Sequence, residues 1–152
     1  MNTEISMYQD SNLDICTQIY VDAFTAPPIN YDFLTTEKAW RYIRDMTRTP
    51  SFMGYTYWVD GEMIAFCFGK LDNYFQGSVF EVEELAVASS QHRQGVGSAV
   101  MSLLEEKLAS YGVSAVSLHT SRTLPAFEFY QKNGYEEVPE SVSLMKWLID
   151  QV

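Results

Sequence analysis

Between an apolar run ending in Glu84-Leu85-Ala86-Val87 and an amphipathic stretch that begins at Val96, the chain reads His92-Arg93-Gln94-Gly95-Val96-Gly97-Ser98. Two glycines where a strand hands over to a helix are the residue types a phosphate needs. The first turn of a helix leaves N–H groups unpaired at the positive end of its dipole, and glycine admits a ligand without a Cβ in the way. Two nucleotide loops fit this stretch poorly. A P-loop would place Lys-Ser or Lys-Thr directly after its last glycine, where Ser98-Ala99 stands, and a dinucleotide fingerprint would need a third glycine where Val100 stands. A diphosphate cradle of another design remains, beside a site for some other nucleotide or a loop that only caps a helix.

The run over residues 79–87 also carries Glu81, Glu83 and Glu84. Alternation along a strand puts Glu81 and Glu83 on one face and Glu84 on the other, unless a bulge resets the order. A carboxylate in a cleft can take a proton from an amine, directly or through a water, once its environment raises its pKa. For any single one of the three, a solvated charge on a strand edge is the default. His119 and Thr120 follow the apolar run 113–118 and are placed to face the same cleft, although a lone histidine more often serves as a structural hydrogen-bonding residue. Cys16 and Cys67 have neither metal-site nor redox spacing. Cys67 lies within Ile64-Ala65-Phe66-Cys67-Phe68, an apolar setting that raises a thiol pKa and offers no adjacent base, which argues against a nucleophile. No metal is expected.

A second block, Ala126-Phe127-Glu128-Phe129-Tyr130-Gln131-Lys132-Asn133-Gly134-Tyr135, lies one helix and one strand further on. Together the two blocks resemble the GNAT superfamily of N-acetyltransferases over about residues 52–148. Its pyrophosphate loop reads Arg/Gln-x-x-Gly-x-Gly/Ala, and its second signature is an alanine, Phe-Tyr, a basic residue and Gly-Phe or Gly-Tyr. His92 departs from the first pattern, standing where Arg or Gln is usual. The resemblance implies acetyl-CoA as donor and direct acetyl transfer to a primary amine of a small molecule or peptide. It also implies that the backbone of Arg93, Gln94, Gly95, Val96, Gly97 and Ser98 holds the pyrophosphate beside His92. Leu85, Ala86 and Val87, on a bulged fourth strand, serve the acetyl carbonyl and the pantetheine arm in the same scheme.

Tyr130 becomes the general acid at the cofactor sulfur. Glu81 matches the base position of the histone-acetylating members, while Glu84 lies nearest the thioester. Thr123 occupies a place where the family often has a pantetheine-binding Asn, and its hydroxyl reads better as a helix cap. Glu83 and His119 fall on the acceptor side with Tyr31 and Phe33, and Tyr74 and Phe75 are expected to help shape that pocket. A homodimer is common in the family, and nothing in the residues demonstrates one. A catalytically silent acyl-CoA sensor is the alternative.

These residues need elements to position them. Periodicity predicts a short strand at 4–9, then a helix capped by Ser11 or Asn12 with Cys16, Ile19, Tyr20, Ala23 and Phe24 on one face. Pro27-Pro28 stops it, and an aromatic loop over 26–34 leads to a second helix from Thr35 or Thr36 that turns Ala39, Trp40 and Ile43 inward. Asp60-Gly61 between the runs 52–59 and 63–69 predicts a hairpin. Val96, Val100, Leu103, Leu104 and Leu108 stripe a helix that Gly112 closes. A buried strand follows over 113–118, then a helix opened by Thr123 and Pro125 and ended by Gly134, then two closing strands over 135–138 and 142–148. The expected fold is a single α/β (α+β) GNAT-like domain over 1–152. Its central sheet would be mixed, mostly antiparallel, with about six to seven strands and a splayed parallel pair in the middle, flanked by about four helices.

The totals agree with one globular domain: 152 residues, 47% hydrophobic and 20% charged. A formal charge of −10 argues against a nucleic-acid binder, which needs a basic patch, speaks first to solubility, and would also draw a cationic substrate. Met1-Asn2-Thr3-Glu4-Ile5 lacks the features of a signal peptide and no apolar stretch approaches membrane-spanning length. A reducing cytoplasmic setting without a membrane partner is the expectation.

Overall fold

The computed structural model describes residues 1–150. Backbone contacts gather into two compact units, Met1–His119 and a second from Thr120 onward. The first is built on one five-stranded sheet in the order β1-β2-β3-β4-β5. These strands are β1 (Thr3–Met7), β2 (Phe52–Val59), β3 (Glu62–Tyr74), β4 (Gly77–Val87) and β5 (Ala115–Leu118). The first four meander antiparallel, while β5 joins β4 in parallel. A parallel pair needs a crossover, which the helix α3 (Val96–Ser110) supplies. Helices α1 (Leu13–Thr25) and α2 (Thr36–Thr47) occupy the connection from β1 to β2.

Local chemistry places these elements. Asp60 and Gly61 both adopt positive φ, 50° and 84°, the backbone a tight hairpin demands between β2 and β3. The Thr35 hydroxyl accepts the Lys38 N–H at 3.2 Å and caps α2. Gly112, at φ 81°, ends α3, and the Val113 N–H reaches back to the Leu108 carbonyl at 3.0 Å. The apolar stripe of α1, Cys16, Ile19, Tyr20 and Ala23, packs with Ala39 and Ile43 of α2 against Met63, Phe66, Phe68 and Ala86 of the sheet. Alternation turns Ala65 and Cys67 to the opposite face. There α3 buries Val100, Met101, Leu104 and Leu108 against β1, β3 and β4. Trp40, expected inward, lies at the surface with the Arg44 guanidinium 5.5 Å above its ring. Ala39 and Ile43, one turn apart and fully buried, already fill the inward slots of α2.

The expected bulge lies in β4. Phe68 pairs with Glu84 and Gly69 with Val82, so Glu83 is an extra residue without a partner on β3. The ladder to β5 stops at the same place. It runs from Val79 with Ala115 to Val82 with Leu118, and β4 continues to Val87 alone on that side. The ladder ends because β5 itself ends at Leu118, and the parallel pair lies at one edge of the sheet rather than in its middle as expected. Nor is β5 a buried strand, since Ala115 is exposed and the next three residues are half-buried.

In the second unit, the helix α4 (Pro125–Lys132) begins with proline in its first position. Proline holds the preceding residue extended, and Leu124, at φ −98° and ψ 149°, becomes the cap position. Thr123 is therefore not the cap. Its hydroxyl pairs with that of Ser121 at 2.8 Å. The two closing strands do not form among the described residues. Segments 135–138 and 142–148 have no ladder partner, and Val142, Leu144, Met145 and Leu148 stand exposed. A period-two pattern becomes a strand only when its main chain is paired, so the sheet has five strands where six or seven were expected. No described helix is long and apolar enough to cross a membrane.

Gly69 faces the bulge, and a Cβ built there would overlap the Glu81 carbonyl oxygen and the Phe80 ring. Gly69→Ala should destabilise the fold by about 1–3 kcal/mol, read as a lower urea midpoint.

Candidate active site

The bulge decides which glutamates meet. Paired strand residues share a face, so Glu84 lies on the side of Phe68, toward α1 and α2. Its Oε1 accepts a hydrogen bond from the Tyr42 hydroxyl of α2 at 2.6 Å and a longer one from the Tyr20 hydroxyl of α1 at 3.5 Å. Burial raises the Glu84 pKa, and the two phenols, which stabilise the anion, only partly offset that. The same contacts raise both tyrosine pKa values, first through burial and then through the adjacent carboxylate. Among the described residues no Lys, Arg or His comes within ion-pair distance of Glu84.

Glu81 and Glu83 form a different group. The Lys70 ammonium lies 3.7 Å from Glu81 and 3.9 Å from Glu83, and His119 Nδ1 lies 3.8 Å from Glu81. The Glu83 carboxyl is pushed up, first by burial and then by the charge of Glu81, against the pull of Lys70. Lys70 thus serves Glu81 and Glu83 as a counter-charge, with His119 beside Glu81. Glu84 is held by tyrosines instead, although the neighbouring Glu83 charge also helps to raise its pKa.

Rings extend away from Glu84. Tyr42 and Tyr20 have centroids 5.8 Å apart, Tyr20 and Phe24 4.5 Å, Phe24 and Tyr31 6.1 Å, and Tyr31 and Phe33 5.2 Å. The loop carrying Tyr31 and Phe33 folds back onto α1 through the Tyr31 N–H, which donates to the Phe24 carbonyl at 2.8 Å. Tyr74 and Phe75 stand exposed at the tip of the β3–β4 hairpin, roughly 15–20 Å along the strand from the bulge. Tyr20 and Tyr42 are the residues that sequence reasoning missed. Tyr20 had been absorbed into an apolar stripe, where its hydroxyl was the available signal, because a buried phenol needs a polar partner.

At the other end of β4, Gly95 sits at φ 75° immediately before α3 and Arg93 at φ 65°. Left-handed residues before a helix curl the main chain so that successive N–H groups point into one concavity, the geometry that cradles an anion. The His92 ring is engaged with the strand end, its Nε2 2.7 Å from the Val87 carbonyl oxygen. Gln94 Nε2 donates to the Ser90 carbonyl at 3.4 Å. The donor set therefore fits a diphosphate through main-chain amides of Arg93 to Ser98. Leu85, Ala86 and Val87 lie on the stretch of β4 that β5 leaves unpaired.

In the second unit, α4 ends with Gly134 at φ 90°. The Tyr135 N–H donates to the Tyr130 carbonyl at 3.0 Å, and the Gly134 N–H to that of Gln131 at 3.1 Å. This helix stop brings the ring of Tyr135 to 5.4 Å from that of Tyr130, at 73°. The Gly-Tyr pair of the second motif thus packs against the Tyr of its Phe-Tyr pair. Cys16 and Cys67 are buried free thiols, Cys16 pushed up to about 12 by burial and Cys67 also raised. No cluster able to hold a metal ion occurs among the described residues.

Solved structures match the fold over nearly the whole chain. A possible acetyltransferase from Clostridium difficile 630 aligns with a TM-score of 0.77 at 10% identity, covering 99% of this chain and 100% of that one. The ribosomal-protein-alanine N-acetyltransferase of Brucella melitensis biovar Abortus 2308 gives 0.73 at 11%, covering 96% and 100%. An aminoglycoside acetyltransferase from an uncultured soil metagenomic sample gives 0.70 at 19%, covering 99% and 100%. A search of curated proteins finds no match. The profile of the acetyltransferase (GNAT) family matches residues 13–135. That span contains the glycine loop before α3, the bulged β4 and the Phe-Tyr helix, and the chain belongs to the GNAT acetyltransferase family.

Proposed function

We propose that this chain transfers an acetyl group from acetyl-CoA to a primary amine of a small molecule or peptide, with Glu84 as general base. The observation that carries this reading is a half-buried carboxylate, held by two phenols, two residues beyond the last pair of the β4–β5 ladder. The donor supplies an acetyl group already activated as a thioester. Main-chain N–H groups from Arg93 to Ser98 hold its pyrophosphate, and His92 fixes their loop to the end of β4. The unpaired edge at Leu85, Ala86 and Val87 receives the pantetheine arm as an added strand. In this scheme Thr123 is a second contact for that arm.

Glu84 takes a proton from the ammonium, directly or through a water, and its raised pKa brings it closer to the amine it must deprotonate. The amine nitrogen then bonds to the acetyl carbon as the carbon–sulfur bond breaks, and the surplus proton on the acylated nitrogen passes to solvent. N–H groups around Leu85 stabilise the charge on the carbonyl oxygen. Tyr130 gives its phenolic proton to the departing sulfur, a transfer from a group of ordinary pKa about 10 to one near 8.5. Glu81, Glu83 and His119, balanced by Lys70, line the acceptor approach with Tyr31 and Phe33.

Glu84→Gln should lower kcat by about 100-fold or more in a CoA-release assay. In the wild type the rate should fall as pH drops through the raised pKa of Glu84, and the variant should lose that limb. The stability sign is opposite to the activity sign. A carboxyl whose folded pKa is raised contributes stability below its unfolded pKa and loses it as pH rises through the folded value. The variant should therefore melt higher than the wild type at pH 8, with the gap closing toward pH 4. Tyr130→Phe should slow turnover about 100-fold while leaving the acetyl-CoA-induced melting shift intact. Gly95→Ala, forced to a positive φ, should cost about 1 kcal/mol in urea titration and reduce that melting shift. No CoA release with any amine, beside an intact melting shift, would overturn the transferase reading.

A further inference from the structure

On the acceptor side, Glu84 has no counter-ion among the described residues. Glu81 and Glu83 already have Lys70, and Glu81 has His119 as well. Glu84 has only phenolic donors, both on one oxygen, Oε1. A half-buried carboxylate with two phenols on one oxygen and no cation beside it is an incomplete arrangement, and an incoming ammonium would complete it. What leads away from it is aromatic. Tyr20 is buried, Tyr31 is 38% exposed and Phe33 63% exposed, so the connected rings run from the carboxylate outward to solvent. Ring faces attract a cation through their quadrupole and accept apolar or aromatic surface, and they offer nothing to a second ammonium or a row of hydroxyls far from Glu84.

We propose that the acceptor is a monoamine carried on an apolar or aromatic body, its ammonium on Glu84 and its body along Tyr20, Phe24, Tyr31 and Phe33, with Tyr42 closing the cationic end. This rests on the acetyl-transfer reading and narrows it. A polyamine or an aminoglycoside would lay further charged or hydroxylated groups against the rings, while the neighbouring carboxylates Glu81 and Glu83 are already engaged by Lys70 and His119. The net charge of −10 draws any cation toward the protein, and the ring strip selects among those that arrive.

Two measurements on the full chain separate this inference from the transferase reading. CoA release is followed with 2-phenylethylamine, spermidine and kanamycin as acceptors. Binding of the trimethyl(2-phenylethyl)ammonium ion, which cannot be acetylated, is followed by calorimetry without acetyl-CoA. The expected result is a kcat/KM for 2-phenylethylamine about tenfold or more above the other two. In Tyr31→Ala and Phe33→Ala its KM should rise about 5–30-fold, with kcat and the acetyl-CoA melting shift unchanged. Both residues are exposed, so these variants should fold. Spermidine or kanamycin as the best acceptor, or an unchanged KM in both variants, would overturn the inference and leave the transferase standing. Probe binding that is lost in both variants, beside no CoA release from any amine, would sustain the cation site and overturn the transferase. Probe binding that fails while an amine is acetylated would overturn the inference alone.

Discussion

One extra residue in one strand organises the first unit. With Glu83 inserted, β4 turns just after Val82, where its ladder to β5 also ends, and its register against β3 shifts. The pleat alone would set Glu84 opposite Glu81. Instead Glu84 swings to the face covered by α1 and α2, where Tyr20 and Tyr42 reach it. The end of β5 at Leu118 leaves the main chain from Leu85 to Val87 without a neighbour on that side. Gly69 makes the distortion feasible, because no side chain fits between it and the Glu81 carbonyl. A straight β4 would put both glutamates on their ordinary alternating sides.

The helices then set the chemistry of that face. Packing of Cys16, Ile19 and Ala23 with Ala39 and Ile43 brings α1 and α2 together, and the polar ends of Tyr20 and Tyr42 project to the sheet from this apolar contact. The outcome opposes stability, since a carboxylate is half-buried beside phenols rather than a cation and its proton affinity rises. Such a site is tolerable because phenols satisfy one oxygen and because the surrounding core is dense enough to hold the geometry. The second unit uses a related device on its own terms. Gly134 ends α4 in a left-handed turn, and Tyr135 is folded back over Tyr130 as a direct result.

Much of this could be read from residue types because the causes are local. Asp60-Gly61 requires positive φ at two successive positions, which few sequences satisfy outside a tight turn. The stripe from Val100 to Leu108 could bury only as a helix face. Gly95 and Gly97 marked a helix start that exposes amides. Misreadings arose where a partner had to be supplied from elsewhere. Residues 142–148 alternate like a strand and yet have nothing to pair with, so the apolar side chains stay in solvent. Trp40 has helical spacing for the core, but the smaller Ala39 and the branched Ile43 take the buried positions and Trp40 stacks under Arg44 instead. Thr123 looked like a cap, and Pro125 moved the helix start one residue past it.

The amino-acid order by itself determined the family and most of the elements up to α4, because motifs, turns and helix stops depend on neighbours within a few residues. Only the tertiary structure decided that Glu84, rather than Glu81 or Glu83, is the carboxylate held by phenols, and that Tyr20, 64 positions away, and Tyr42, 42 positions away, are its partners. Three glutamates within four residues are equivalent in a pattern. They differ only once a bulge and two packed helices assign one to a tyrosine pocket and the others to a lysine, and burial and charge are properties of that packing, not of the order of residues.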